Sequence, residues 1–168
     1  MMEIISKKLT KENFKHYGDV ISIETYKSIE TINDGFTKRY DISNYISNEK
    51  NNEGPSISIF KGIQRPQPLI INMLECHPLA SQSFMPLNGN DWIVIVCKGN
   101  EKKPEINDIK CFVANNKQGV NYYPGTWHHP LVILEKTQDF LVVDRNNSKF
   151  KANNNLSKYW FDNTNVKI

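Results

Sequence analysis

Long apolar runs are absent from this chain of 168 residues. No stretch approaches the roughly 18 apolar residues that a membrane-spanning helix needs. The first residues, MMEIISKKLT, contain no apolar segment long enough to act as a secretory signal. These absences lead us to expect a cytoplasmic protein that does not insert into a membrane.

A concentration of one charge sign is also missing. The chain has 21 basic and 18 acidic residues, and the basic ones are scattered along the sequence. Proteins that bind nucleic acids usually gather Lys and Arg on one surface, so this pattern argues against a nucleic-acid partner. Apolar residues make up 39% of the chain. That fraction suffices for one buried core, and we expect a single domain spanning residues 1–168.

Cysteine is scarce, with only Cys76, Cys97 and Cys111 present. None of the three is close to another in sequence, and an odd number leaves one without a partner. This pattern is not typical of a disulfide framework and fits a reducing compartment. We therefore expect three free thiols.

Arginine is rare as well, since Arg39, Arg65 and Arg145 stand against 18 lysines. A chain that uses lysine for most surface charges retains arginine where a planar, two-pronged cation is needed. The arginines are therefore candidates for binding an anion. Arg145 ranks below the other two because it follows Asp144 directly and can pair with it.

The sequence is rich in short segments with a period of two, which predict β-strands separated by Gly, Pro and Asn. The predicted strands are 56–62, 69–77, 91–99, 110–114, 130–135 and 139–145. Residues 9–18 predict one helix, capped by Thr10 and ended by Gly18. Segments 48–54 and 151–155 predict exposed loops, the second leading into an amphipathic C-terminal piece, LSKYWFD. Many short strands indicate an all-β sandwich or barrel.

The strand ending at His77 carries an unusual inner face. Side chains alternate along a strand, so the apolar stripe of Leu69, Ile71 and Met73 continues through Glu75 and His77. A buried carboxylate needs a partner or a proton. A metal ion, a substrate hydroxyl or His77 itself could supply it. Alternatively, the two residues lie in water at the strand's end or simply pair with each other.

The segment NYYPGTWHHP, residues 121–130, contains the second candidate group. Pro124 and Gly125 predict a turn, after which a strand carries His128 inward and His129 outward. We expect His129 to be a hydrogen-bonded structural residue and Trp127 to serve packing or an interface.

These two segments resemble the paired motifs of cupin domains. Glu75, His77, Gln82 and Gly89 reproduce the spacing of the first cupin motif. The second motif matches the segment from Gly119 to His128, with one residue fewer before the proline. The resemblance implies an all-β, cupin-like double-stranded β-helix, a jelly-roll barrel with a site in its mouth. A short N-terminal helix and a C-terminal extension would be added to it.

The chain resembles one cupin family most closely, the ureidoglycolate lyases. The matching stretches are LTKENFKHYGDVI, ISIFKGIQRPQPL, MLECHPLASQSFMPL, QGVNYYPGTWHHPL and DFLVVDR. The resemblance implies a homodimeric enzyme that splits ureidoglycolate into glyoxylate and urea, the last step of allantoin breakdown. Members of the family are associated with nickel. This chain departs from the family at Lys61 and Cys76, where arginine is usual, and at Tyr123 and Pro124, where a His-Arg pair is usual.

The candidate residues suit this chemistry in two ways. Glu75, His77, Gln82 and His128 offer a mixed nitrogen and oxygen ligand set for a divalent ion such as nickel, manganese or zinc. Without a metal, Glu75 or His128 takes the substrate's hydroxyl proton while a neighbouring imidazole donates to the departing urea nitrogen. The sequence leaves both routes open.

Further residues are candidates for binding the substrate. Arg39, Lys61 and Arg65 could hold its carboxylate. Ser81 and Asn121 could hydrogen-bond its ureido group. Gln82 and Tyr122 are further candidates for contacts with the substrate.

Other functions remain open at this stage. A cupin can be a non-catalytic small-molecule-binding or regulatory protein. It can also be a different enzyme, such as a sugar epimerase or an oxygen-dependent iron enzyme, although the incomplete histidine set argues against the latter. An amidohydrolase acting on the same substrate would release ammonia instead of urea.

Overall fold

A computed structural model describes residues 2–32, 35, 37–43, 54–145 and 155–168. Of the loops predicted at 48–54 and 151–155, residues 48–53 and 151–154 lie outside this range. The elements are β1 (Glu3–Lys8), α1 (Lys11–Phe14), β2 (Gly18–Ile21), β3 (Ser28–Ile32), β4 (Thr37–Asp41), β5 (Pro55–Ile63), β6 (Ile70–Cys76), β7 (Gln82–Pro86), β8 (Trp92–Cys97), β9 (Lys110–Ala114), β10 (Gly119–Tyr122), β11 (Trp127–His128), β12 (Val132–Ile133), β13 (Thr137–Arg145) and β14 (Ser157–Lys167).

The helix is shorter than the sequence predicts. Thr10 caps it as expected, because its hydroxyl accepts from the Asn13 backbone and the Asn13 side chain accepts from the Thr10 backbone. The helix ends at Phe14, however, and Gly18 begins β2. A Cβ at Gly18 would lie 2.0 Å from the carbonyl oxygen of Asn121 in β10. Gly18 is therefore needed because β2 and β10 approach each other too closely for a side chain, and not because it ends the helix.

One sheet closes on itself. Its strand order is β11-β6-β14-β1-β9-β8-β12, and an additional pairing of β11 with β8 joins its ends into a ring of six strands. A buried apolar cluster draws residues from every strand of this ring and fills it. Strand β8, WIVIVC, is buried on both faces, which explains its continuous run of apolar residues.

A second sheet packs against the ring. Its strand order is β2-β10-β7-β13-β5, with β5 at one edge. A second buried cluster joins this sheet to the outer side of β8 and β9, through residues such as Phe84, Phe140, Val142, Trp92 and Phe112. Strands β3 and β4 form a separate hairpin. Within the described part of the chain, no helix is long and apolar enough to cross a membrane.

The prediction of an all-β, cupin-like barrel is confirmed. The six predicted strands are observed as β5, β6, β8, β9, β12 and β13, with β12 shortened to two residues. The C-terminal extension is β14, which pairs with both β6 and β1 and so belongs to the closed ring.

Candidate functional site

Strands β6 and β11 bring the predicted acid and imidazoles together. Glu75 and His128 lie directly opposite each other in this antiparallel pair, and His77 follows the end of β6. One ligand atom from each of the three side chains lies within 4.8 Å of the others. The distance from His128 Nε2 to Glu75 Oε1 is 3.7 Å.

The inner stripe of β6 differs from the predicted one. Leu69 and Ile71 pack inside the closed ring, but Leu74 and Cys76 continue that packing in place of Glu75. A register shift in the pairing of β14 with β6, between Trp160 and Thr164, interrupts the alternation. Glu75 and His77 therefore face the opposite side, toward the second sheet.

Backbone carbonyls fix the proton on each imidazole. His77 Nδ1 lies 2.7 Å from the Asn155 carbonyl oxygen, and His128 Nδ1 lies 2.9 Å from that of Thr126. Because a carbonyl only accepts, each Nδ1 carries the hydrogen and each neutral ring presents a bare Nε2 lone pair. Both Nε2 atoms are buried and have no hydrogen-bond partner among the described residues.

Aromatic stacking holds the His128 ring. Its centroid lies 4.2 Å from that of Tyr122, with 12° between the planes, and 5.5 Å from that of His77. The pKa of His128 is lowered to about 3, chiefly because the ring is buried and secondly because His77 lies beside it. The ring is therefore neutral at physiological pH. Tyr122, predicted above to contact the substrate, has one ring face covered by His128, and burial raises its pKa.

Glu75 occupies a different environment from His128. Burial raises the pKa of its carboxyl group, and the neighbouring His77, Lys158 and Arg65 side chains oppose that rise. A carboxyl group whose pKa is raised can exchange a proton nearer to physiological pH than an exposed one.

A cavity of about 560 Å³ opens beside this cluster. Its walls include Lys61, Arg65, Glu75 and Gln82 among the predicted residues, with Phe60 and Phe84 as apolar surface. Arg65 Nε is buried, and no described residue accepts a hydrogen bond from it. The cavity thus combines a carboxylate, a guanidinium group, an ammonium group and an amide.

Other predicted substrate residues are placed elsewhere. Arg39 lies in the exposed β3–β4 hairpin, with its Nε 2.8 Å from Asp41 Oδ1. Asn121 lies on the face of β10 opposite Tyr122, where its amide bonds Ser43 and Ser83. Ser81 is buried just before β7. None of these three is among the described residues that line the cavity.

The remaining residues of segment 121–130 have structural contacts. Trp127 packs inside the closed ring and donates to the Asn100 carbonyl. His129 is hydrogen-bonded as predicted, with its Nδ1 2.7 Å from the Pro130 carbonyl oxygen. It is buried, however, and not exposed on an outer face. Tyr123 donates its hydroxyl hydrogen to Asp19, which gives this departure from the family pattern a structural role.

Sequence reasoning missed three contributors to the site. Asn155 falls in the segment predicted as a loop, yet it is buried and its carbonyl binds His77. Thr126 orients His128 through its backbone, which no side-chain pattern reveals. Asp144 accepts a hydrogen bond from Gln82. Its position at the end of a predicted strand was the only available signal.

Two comparisons with known proteins give consistent results. The family profile described as ureidoglycolate lyase matches residues 1–168. A ureidoglycolate lyase of Pseudomonas syringae pv. syringae is 40% identical over 161 residues, covering 96% of this chain and 91% of the relative. Another, from Pseudomonas aeruginosa PAO1, is 43% identical over 155 residues, covering 91% of this chain and 87% of the relative.

Proposed function

The chain belongs to the ureidoglycolate lyase family, and from this premise we propose that it cleaves ureidoglycolate to glyoxylate and urea. The observation that carries the proposal is the convergence of Glu75, His77 and His128. Glu75 also lines a cavity of about 560 Å³, so the cluster lies beside that cavity. We place the reaction among carbon–nitrogen lyases, in the breakdown of allantoin for nitrogen recovery.

The reaction moves one proton and breaks one bond. The central carbon of ureidoglycolate carries a hydroxyl group, a carboxylate and the ureido nitrogen. Loss of the hydroxyl proton lets the oxygen form a carbonyl, the carbon–nitrogen bond breaks, and the departing nitrogen takes up a proton. A base and an acid are therefore needed, and no water is consumed.

Glu75 is the residue best suited to both proton transfers. It lines the cavity, and its raised pKa suits a group that first accepts and then donates a proton. We propose that Glu75 takes the hydroxyl proton and returns it to the urea nitrogen. The imidazoles are less suited to donation because each Nδ1 hydrogen is held by a carbonyl and each Nε2 is bare.

The same cluster is suited to a divalent metal ion. Three acceptor atoms face one another, and His77 Nε2 and His128 Nε2 have no hydrogen-bond partner in the described chain. Such a set of two nitrogens and one oxygen fits nickel, manganese or zinc. Glu75, His77 and His128 would hold the ion. When bound, the ion would act as a Lewis acid that stabilises negative charge on substrate oxygens.

Arg65 is the best candidate for binding the substrate's carboxylate. Its Nε is a buried donor that no described residue satisfies, and it lies on the same cavity wall as Glu75. Lys61 adds a second positive charge to this wall. A carboxylate held by arginine gains charge-assisted hydrogen bonds with defined geometry.

We also propose that the protein is a cytoplasmic homodimer of single-domain subunits. Cys76, Cys97 and Cys111 are free thiols, which fits a reducing compartment. At the edge of the second sheet, β5 exposes Ile57, Ile59 and Ile63. An exposed apolar edge strand favours association with another chain.

Product analysis tests the proposed activity. Purified protein is incubated with ureidoglycolate before and after treatment with a chelator, and urea, glyoxylate and ammonium are measured. We expect urea from the untreated protein. Loss of activity after chelation, with recovery on adding back a divalent ion, would establish the metal route, in which Glu75 is a ligand and not the proton carrier. Ammonium as the main product would indicate an amidohydrolase, and absence of any product would indicate a binding protein. Full activity after complete metal removal would reject the metal and leave acid-base catalysis by Glu75.

A further inference from the structure

A row of polar side chains crosses the inner face of the second sheet. Asp144 in β13 is paired with Ser56 in β5, and Gln82 in β7 is paired with Tyr122 in β10. The pairing of Val143 with Ser83 places Asp144 next to Gln82 on neighbouring strands. The row therefore runs from the edge strand β5 to the aromatic side chain of Tyr122, which stacks on His128.

Asp144 determines the orientation of the Gln82 amide. Asp144 Oδ1 accepts from the Ser56 hydroxyl at 3.2 Å, and its Oδ2 accepts from Gln82 Nε2 at 3.4 Å. A carboxylate offers only acceptors, so the amide must turn its NH₂ group toward Asp144. The carbonyl oxygen of Gln82 is thereby turned away from Asp144.

The Gln82 carbonyl oxygen lacks a partner. Gln82 is only 6% exposed, and its Oε1 is buried with no hydrogen bond to any described residue. Gln82 also lines the cavity beside Glu75. A buried acceptor without a partner is costly, and a ligand that supplies an N–H group removes that cost.

The ureido group has N–H hydrogens at two nitrogens. The inner nitrogen is the one that receives a proton from Glu75 in the proposed reaction, which leaves the terminal NH₂ group to be recognised. An amide in the opposite orientation would present its own NH₂ group and could not accept from it. The direction of the Gln82 amide therefore distinguishes a ureido group from a simple acyl group.

We propose that Asp144 is a positioning residue that holds the Gln82 carbonyl toward the terminal NH₂ of the substrate, making the site selective for ureido over acyl compounds. This inference rests on the proposed function for the identity of the ligand. It assigns ureido recognition to Gln82 and Asp144, since Asn121 faces the other side of its strand.

Two unreactive ligands test this selectivity by binding alone. Ureidoacetate lacks the reacting hydroxyl group, and N-acetylglycine replaces its terminal NH₂ by a methyl group. Calorimetry on the wild-type protein should show ureidoacetate binding about 10- to 100-fold more tightly than N-acetylglycine, as expected for one buried hydrogen bond. Equal affinities, or no binding of either ligand, would overturn the inference.

Substitutions separate positioning from general structural support. Asp144→Leu should remove the preference by weakening ureidoacetate binding, with the affinity for N-acetylglycine unchanged within about twofold. Asp144→Asn keeps an acceptor for the Gln82 NH₂ and should preserve the preference. Asp162→Leu, at an exposed position of β14, is the control for loss of a strand carboxylate. An equal loss of affinity for both ligands in Asp144→Leu would show a merely structural role.

A second variant tests the inference independently if Asp144→Leu fails to fold. Gln82→Met keeps the side-chain length but removes the amide, so it should also abolish the preference. Preserved preference in folded Gln82→Met would overturn the inference. Catalysis without ligand preference would reject this inference alone, whereas preference without any catalysis would reject the proposed lyase activity alone.

Discussion

At the level of single residues, the site brings three hydrogen-bond acceptor atoms close together. The Glu75 carboxylate and the Nε2 atoms of His77 and His128 converge while backbone carbonyls bind both Nδ1 atoms. Buried polar atoms normally face complementary partners. Three acceptors in one place therefore favour uptake of a proton or a cation, which is what the proposed chemistry requires.

Replacing Glu75 by Gln tests its role in proton transfer. The neutral amide keeps the size of the side chain but cannot take the hydroxyl proton, so we expect kcat to fall by at least about 100-fold. Steady-state kinetics on ureidoglycolate, with circular dichroism to verify folding, measure this. Glu30→Gln, in the exposed hairpin, is the matched control and should retain full activity. Near-normal turnover in Glu75→Gln would remove this residue from the mechanism.

At the level of elements, close strand contact fixes the position of β10. A Cβ at Gly18 would lie 2.0 Å from the carbonyl oxygen of Asn121, so Gly18→Ala must push β2 away from the strand that carries Tyr122. We expect a loss of about 1–3 kcal/mol in the free energy of unfolding, measured by chemical denaturation. Gly89→Ala should be nearly neutral because no atom lies within 4 Å of the added methyl group. Equal stability of the two variants would contradict the strand geometry.

Elements also show how far the sequence could predict the structure. Strands such as β8 and β13 were recognisable because burial demands continuous or alternating apolar residues. Strand β14 contains Asp162, Asn163 and Asn165 and reads weakly as a strand, although pairing with β6 and β1 stabilises it. Alternation alone also assigned the wrong inner stripe to β6, since a register shift set by the distant β14 is invisible locally.

The same limits explain the predictions for the site. Motif spacing identified Glu75, His77 and His128, which the structure brings together. It could not identify Asn155, because the contact with His77 is made by a backbone carbonyl 78 residues away. Nor could it separate Asn121 from Tyr122, since neighbours in a strand face opposite sides.

At the scale of the whole molecule, exposed apolar surface predicts dimerisation. Light scattering should give a mass of twice 19.5 kDa. Ile59→Asp, at the exposed edge of the second sheet, should shift this mass toward the monomer because a charge would enter the apolar contact. Ile5→Asp, equally exposed but on the closed ring, should leave the dimer intact. A monomeric wild-type protein would contradict the prediction.

The stability of the whole protein should depend on pH through its buried histidines. Burial lowers the pKa of His128 to about 3 and that of His129 to about 4, from an ordinary value of 6.5. Below pH 6.5 the unfolded chain binds protons that the folded protein does not, so the free energy of unfolding falls. Each histidine accounts for up to about 2 kcal/mol between pH 6.5 and 5.

Denaturation of wild type and His129→Gln from pH 7 to pH 5 measures this effect. The raised pKa of Glu75 acts in the opposite direction, because protonation on acidification relieves its burial. The informative quantity is therefore the difference in the free energy of unfolding between wild type and His129→Gln. It should shift in favour of the variant as the pH falls, and a difference independent of pH would contradict neutral burial of His129.

We propose that this chain eliminates urea from ureidoglycolate without hydrolysing it. Nuclear magnetic resonance of ¹³C-labelled ureidoglycolate during turnover tests this most directly, because it follows substrate, glyoxylate and urea in one sample. We expect one glyoxylate and one urea for each substrate consumed, at a rate that Glu75→Gln reduces at least about 100-fold. Release of ammonium and carbonate in place of urea, or an unchanged substrate spectrum with the folded protein, would contradict it.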